Sequence, residues 1–299
     1  MIGSIKERVC RKLKGCLGIT SLQRELLNIQ TTQIQQRQLQ CFYQSLNIQH
    51  LPLPRLSDTG FRVFSQADED GILHYIFSVI GTTNKVCVEV AFASPYGANV
   101  TNLIVNNAWN GILVWAEESE VKAAEQFFVS HPDTTLYPPK IYQQWITVEN
   151  INEIVAKGLS DLYIQEKDID LFSLDIDGVD YWIWKALESI KPRVVLVEYH
   201  NVLGERSVTV PYKPDFNRLD IHPDYMGASL PAFVKLAKEK GYRLVGCNRY
   251  GYNAFFIKNG IGEDAFPEVP FQDCLKQSQA IDAHKNRFPA VMNYEWKEV

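Results

Sequence analysis

The chain has 299 residues, 46% of them hydrophobic, and a formal net charge of −5. That length and composition suit a soluble globular protein of one large domain or two smaller ones, and the acidic balance removes the electrostatic case for a nucleic-acid partner. The cysteines Cys10, Cys16, Cys41, Cys87, Cys247 and Cys274 form no CxxC pair, and no apolar run has membrane-spanning length; a zinc site and a transmembrane segment are not expected, and a cytoplasmic protein is.

Residues 1–60 read as a helical region distinct from the rest. Ile2, Ile5, Val9, Leu13 and Leu17 recur at helical spacing, with Lys6, Arg8, Arg11, Lys12 and Lys14 between them. Such a basic amphipathic helix either makes weak contact with an anionic membrane surface, packs on its own domain or frays in solution. In the glutamine-rich segment that follows, Leu27, Ile34 and Cys41 repeat every seven residues, as do Leu22 and Ile29. That pattern suits a helix docking on another helix, in a homo- or hetero-oligomer. The stretch "LPLPRLSDTG" then breaks the helix and reads as a linker.

From 61 to 299 the pattern is one of strands alternating with helices. Strand-like runs occur at "KVCVEVAFA", "GILVWAE", "YQQWITV", "IDLFSLDI" and "PRVVLVEY", and helical stretches such as "DEDGILHYIFSVIG" separate most of them. Continuous apolar runs imply strands covered on both faces, hence a mostly parallel sheet in an α/β domain. The helix "ASLPAFVKLAKEKG" ends at Gly241, and "NRYGY" joins the next two strand-like runs as a hairpin. One more helix is expected after it.

Ligands of open α/β sheets sit outside the carboxyl ends of the strands. Asp175 and Asp177 follow the run "LFSL", where alternation aims both to one side and Gly178 lets the chain turn. The neighbouring run ends in "VEYHN", adding Glu198, His200 and Asn201 to the same crevice. Asp175, Asp177 and Glu198 are oxygen donors suited to a hard cation such as Mg2+. Asp175, Asp177 and His200 are the candidate catalytic residues, His200 as a base that titrates near neutral pH. Asp180 reads as the N-cap of the helix "YWIWKAL".

The stretches "SLDIDGVDYWIWKAL", "VVLVEYHN", "VPYKPDF", "YMGASLPAFVKLAKEKGYRLVGCN" and "NAFFIKN" occur in that order. Together they resemble the FkbM-type branch of class I S-adenosylmethionine-dependent methyltransferases, over the span from "SQADEDGILHYIFSVIG" to "FFIKNG". The resemblance implies a Rossmann-like methyltransferase fold, a mostly parallel seven-stranded sheet closed by a C-terminal antiparallel hairpin and preceded by N-terminal helices. It implies S-adenosylmethionine as cofactor and a small-molecule or glycan acceptor, methylated on a hydroxyl of a sugar or natural-product precursor. A magnesium ion held by Asp175, Asp177 or Glu198 would polarise that hydroxyl, with His200 or a carboxylate taking its proton. The long segment 201–227 is then the candidate acceptor-binding lid.

The cofactor half departs from the family pattern. Where an "E-x-G-x-x-D-G" turn is expected, the chain reads "VEVAFASPYGANVTN". Glu89 and Gly97 remain, Ala91 and Ala93 stand where flexibility is expected, and Ser94-Pro95-Tyr96 replaces the acidic turn. Trp115 stands where the second strand would supply an acid to the ribose; either Glu117 restores that contact or Trp115 fills the space. By this resemblance the candidate cofactor-binding residues are Glu89, Ala91, Tyr96, Gly97, Asn102 and Glu117. Three readings follow: an active O-methyltransferase with an unusual pocket, a methyltransferase-fold protein without cofactor that serves as partner or scaffold, and an enzyme whose acidic site serves another ligand.

Overall fold

The computed structural model describes residues 31–299. The basic pattern over residues 2–17 and the heptad positions Leu22, Leu27 and Ile29 lie outside the described residues. Helix α1 covers residues 31–48 and α2 Glu69–Ile80. Strands and helices then alternate as β1 (Val86–Val90), α3 (Thr101–Asn107), β2 (Asn110–Trp115), α4 (Glu118–Ser130), β3 (Lys140–Gln143), α5 (Ile151–Asp161), β4 (Leu171–Leu174), α6 (Asp180–Ala186) and β5 (Val194–Glu198). A two-residue β6 (Val208–Thr209) precedes α7 (Leu230–Lys240), the hairpin strands β7 (Tyr242–Cys247) and β8 (Asn253–Lys258), α8 (Phe271–Cys274), α9 (Ser278–Val291) and β9 (Lys297–Glu298). No described helix is long and apolar enough to cross a membrane.

The main sheet has seven strands in the order β3-β2-β1-β4-β5-β8-β7. Pairing is parallel from β3 to β5, whereas β8 runs antiparallel to both β5 and β7. This is the Rossmann-like methyltransferase arrangement with its C-terminal hairpin, as the sequence led one to expect. The continuous apolar runs divide with period two. In β5, Val194 and Leu196 pack with residues of α2 and α3, and Val195 and Val197 with residues of α5, α6 and α7. Each such side chain contributes about 1.5–3 kcal/mol on burial, which is why both faces stay covered. Gly241 ends α7 in the left-handed region, with φ 83°, as its C′ role requires.

Strand register also places the polar residues. Glu89 pairs with Ser173, Ser173 with Leu196, and Glu198 with Asn253. Side chains of directly paired residues leave a sheet on the same face, and residues two apart share a face. Glu89, Ser173, Glu198 and Asn253 therefore belong to one row on the α2 side, at or near the carboxyl edge of the parallel strands.

Two expectations change, and the seven-residue stripe on α1 is left open to another helix, with Ile34 59% exposed and Cys41 exposed. The inward face instead carries Tyr43, packed edge-on against Tyr75, and Gln36, whose amide exchanges hydrogen bonds with Asn102 at 2.9 and 3.2 Å and accepts from Asn107. The surface that α3 offers here is a row of buried amides, which a glutamine satisfies and a leucine would leave unpaired. The run "YQQWITV" is strand only at its start, because β3 ends at Gln143 and Trp145 turns to bond its indole N–H to the Pro214 carbonyl, 2.7 Å away. Finally, the segment 201–227 is less irregular than expected, since β6 pairs antiparallel with β9 and two 3-10 turns lie within it.

Candidate functional site

The turn after β4 organises the site. The Asp175 N–H donates to the Val90 carbonyl at 3.2 Å, so Asp175 still follows the strand. Asp177 then takes a left-handed backbone with φ 55°, a conformation aspartate tolerates better than most residues. The Asp180 carboxylate accepts from the backbone N–H of Ile176 at 2.7 Å and of Gly178 at 3.0 Å. The cap position of α6 belongs to Val179, not Asp180. The reversal at Asp177 leaves two turn amides facing inward, and the Asp180 carboxylate satisfies them instead of the first amides of its own helix.

That turn brings the predicted acids together. One carboxylate oxygen each from Asp175, Asp177 and Glu198 lie within 4.8 Å of one another. Burial first, and the neighbouring Asp177 second, push Asp175 up to about 7. Burial, followed by repulsion from Asp175, raises Glu198 well above the usual carboxylate range. The guanidinium of Arg218, in the 201–227 segment, donates to the Asp177 carboxylate at 2.9 Å. Three crowded carboxylates with one guanidinium form an oxygen-only donor set short of positive charge, and that chemistry fits a hard divalent cation.

The histidine and asparagine expected beside them point elsewhere. His200 Nε2 lies 2.9 Å from the Asp224 carbonyl, which can only accept, so Nε2 carries the proton. Burial lowers His200 to about 4 and keeps it neutral. Asn201 donates its side-chain N–H to the Gly251 carbonyl.

A second feature adjoins the acids. A cleft of about 120 Å³ opens at the carboxyl ends of β1, β2, β3 and β4, smaller than the 300–1,000 Å³ usual for small-molecule sites. Ile176 and Gly178 line it, so alternate residues of one turn serve the acids and the cleft. Ala91 and Glu117 also line it, as do Trp115, Trp145, Ile146 and Phe216. Ala91 sits at φ 74°; it takes the glycine-like conformation despite its Cβ, at a cost of about 1–2 kcal/mol. The N–H groups of Ala91 and Phe92 both donate to the Val114 carbonyl, at 3.0 and 3.2 Å, which holds the strained turn in place.

The other expected cofactor residues divide differently. Glu89 lies beneath the loop, where its carboxylate accepts from the N–H of Asn99 at 2.9 Å and of Val100 at 3.2 Å, and from the Ser173 hydroxyl. Tyr96 is 67% exposed and packs on Phe64 and Phe127. Gly97 donates to the Phe64 carbonyl, and Asn102 belongs to the amide network with Gln36. Tyr96, Gly97 and Asn102 do not line the cleft: the loop after Ala91 runs outward to meet the Phe64–Ser65 segment and returns only at α3. Trp145, Ile146 and Phe216 went unread. The first two follow the true end of β3, and placing that end at Gln143 would have exposed them.

Burial pushes Glu89 up to about 7 from the ordinary 4.5, with Asp175 adding to the shift and the Asn99 and Val100 amides opposing it. A carboxyl raised in this way contributes stability below pH 4.5 that is lost as pH rises to about 7. The melting temperature of the wild type is therefore expected to fall across that window, and Glu89→Gln to flatten the fall. An unchanged slope in Glu89→Gln would remove Glu89 as its source.

No family model and no curated protein sequence matches the chain. Among solved structures it is similar to a caffeoyl-CoA O-methyltransferase candidate from Staphylococcus aureus, with 14% identity over 72% of this chain and 88% of that one, at a TM-score of 0.42. It is also similar to the glycopeptide N-methyltransferase MtfA, with 12% identity over 67% of this chain and 93% of that one (TM-score 0.39). A SAM-dependent methyltransferase from Aquifex aeolicus aligns with 10% identity over 62% and 87% of the two chains (TM-score 0.34). At these scores the likenesses carry no argument about activity, and the fold assignment rests on the strand order itself.

Proposed function

We propose that the protein is an S-adenosylmethionine-dependent O-methyltransferase of the FkbM type, acting on a hydroxyl of a sugar or natural-product precursor at the Asp175–Asp177–Glu198 site. One observation carries this reading: the turn 175–178 presents Asp175 and Asp177 to the acid cluster and Ile176 and Gly178 to the cleft. A cofactor in the cleft and an acceptor at the acids would then meet across a single turn, as in-line transfer requires.

When bound, the cofactor supplies an electrophilic sulfonium methyl, and a hard cation such as Mg2+ at the three acids would polarise the acceptor hydroxyl. The remaining work falls to the chain. The apolar walls Ile146, Ile176 and Phe216 suit the adenine ring, and Glu117 at the rim suits the ribose hydroxyls. The hydroxyl proton passes to a carboxylate oxygen of the cluster not bound to the cation; His200, held near 4 and bonded to Asp224, is the weaker candidate. The segment 201–227 acts as the acceptor lid, tied down where Tyr212 donates to Glu149 at 2.6 Å and Arg218 to Asp177.

The scaffold reading has one observation in its favour, the exposed Ile34 and Cys41 on α1. Calorimetric titration with S-adenosylmethionine, with and without magnesium, separates the two. Saturable micromolar binding is expected. Folded protein that binds no cofactor under either condition would overturn the enzyme reading and favour the scaffold.

A further inference from the structure

Beside the three acids stands a buried acceptor that nothing in the described protein satisfies. Asn253 is 2% exposed, and its Oδ1 has no hydrogen-bond partner among the described residues. A buried amide oxygen left without a donor costs about 1–3 kcal/mol, so such atoms call for an explanation.

The amide orientation follows from its neighbours. Asn253 Nδ2 donates to Glu69 Oε1 at 2.9 Å, and Asn248 Nδ2 donates to that same oxygen at 2.8 Å. A carboxylate oxygen that collects amide donors rejects a carbonyl, so Asn253 cannot be turned round. The Glu69 oxygen is shared with Asn248, the residue that follows β7, and so lies on the β7 side of Asn253. The opposite branch of the amide, Oδ1, faces β5. Directly across on β5 is Glu198, the cross-strand partner of Asn253, with its side chain on the same sheet face and a Cβ about 4.5–5.5 Å away.

We infer that Asn253 is a fourth oxygen ligand of the acid site, its Oδ1 joining Asp175, Asp177 and Glu198 around a hard divalent cation. The inference rests on the cation reading of that site given above. A neutral amide oxygen is an ordinary ligand for such cations, and it adds a donor without adding repulsion to an already crowded set of charges. The buried Glu69 acts as the positioning residue. It accepts from Ala67, Asn248 and Asn253, and so fixes the rotamer that turns Oδ1 towards Glu198.

The test is Mn2+ binding to the full chain without cofactor, followed by electron paramagnetic resonance of the free ion. Asn253→Leu removes the ligand oxygen at nearly constant volume; Asn248→Leu breaks the same clasp on Glu69, together with the bonds from the Tyr252 and Asn253 backbone N–H groups, but leaves Asn253 Oδ1. Wild type is expected to bind one Mn2+, Asn253→Leu to bind at least tenfold more weakly, and Asn248→Leu to stay within about twofold of wild type. Asn253→Ser, whose hydroxyl is too short to reach the cation, replaces the leucine variant if that one does not fold, with the same loss expected. Wild-type affinity in the Asn253 variant, or an equal loss in Asn248→Leu, would overturn the ligand role while leaving the acid site standing. No Mn2+ binding by folded wild type would instead overturn the cation reading and this inference with it.

Discussion

Asp175→Asn and Glu198→Gln are each expected to lower methyl transfer by about 10²–10⁴-fold, the range for losing a positioned proton acceptor or its partner. Neither is expected to unfold the protein. Burial pushes both carboxyls towards their neutral forms, with Asp177 adding to the shift of Asp175 and Asp175 to that of Glu198. The two share a side-chain hydrogen bond, which an amide at either place can keep while removing a charge. Melting temperatures at pH 8, above the value of about 7 for Asp175, should equal or exceed that of wild type, since the buried Asp175 charge is then present and costly. Wild-type turnover in both variants would remove these residues from the chemistry. A fall of many degrees in melting temperature would show instead that they are structural.

Asp170→Ala should do the reverse, destabilising the protein by about 3–5 kcal/mol, the usual cost of breaking a buried charge pair. Asp170 is fully buried at the start of the strand that Asp175 follows. Its carboxylate accepts from the backbone N–H groups of Thr83, Asn84 and Lys85 and from the Thr83 hydroxyl. It also accepts from Arg193 at 2.9 Å, whose other donor reaches the Ile80 carbonyl at the end of α2. Alanine would leave three part-buried amides without their acceptor and the Arg193 guanidinium without its counter-charge. Urea denaturation measures the loss directly, and a change below 1 kcal/mol would contradict this description of the α2–β1 connection. Cofactor affinity, read on protein that remains folded, should change little, because Asp170 lies at the opposite end of β4 from the cleft.

The two acids occupy one short stretch, "DIDLFSLDID", and they show what can be read from a sequence. The apolar run marks the strand, and strand direction assigns the following acids to the ligand-binding edge. The cluster of Asp175, Asp177 and Glu198 was therefore legible, as were the parallel sheet and the closing hairpin. The role of Asp170 was not, because its partners at 83–85 lie far away along the chain and their amides carry no mark in the sequence. Trp145 escaped for a related reason: an edge strand ends where the chain must depart for α5, and alternation in "YQQWITV" continues past that point. Tyr96 and Asn102 were assigned to the cofactor by their place in a motif, yet the path of their loop sends one to the surface and the other to a glutamine on α1. Ala91 shows the opposite effect. The motif looked damaged, but the backbone there keeps the left-handed turn that glycine would provide.

The central claim is that cofactor and acceptor chemistry meet across the turn 175–178. The most direct measurement is a crystal structure with S-adenosylhomocysteine and Mn2+ together, the ion located by anomalous scattering. The account predicts the nucleoside in the cleft beside Glu117 and Ile176, the Mn2+ among Asp175, Asp177 and Glu198, and the cofactor sulfur directed towards the ion across that turn. A nucleoside bound elsewhere, or an ion and sulfur on separate surfaces with the turn closed between them, would contradict it.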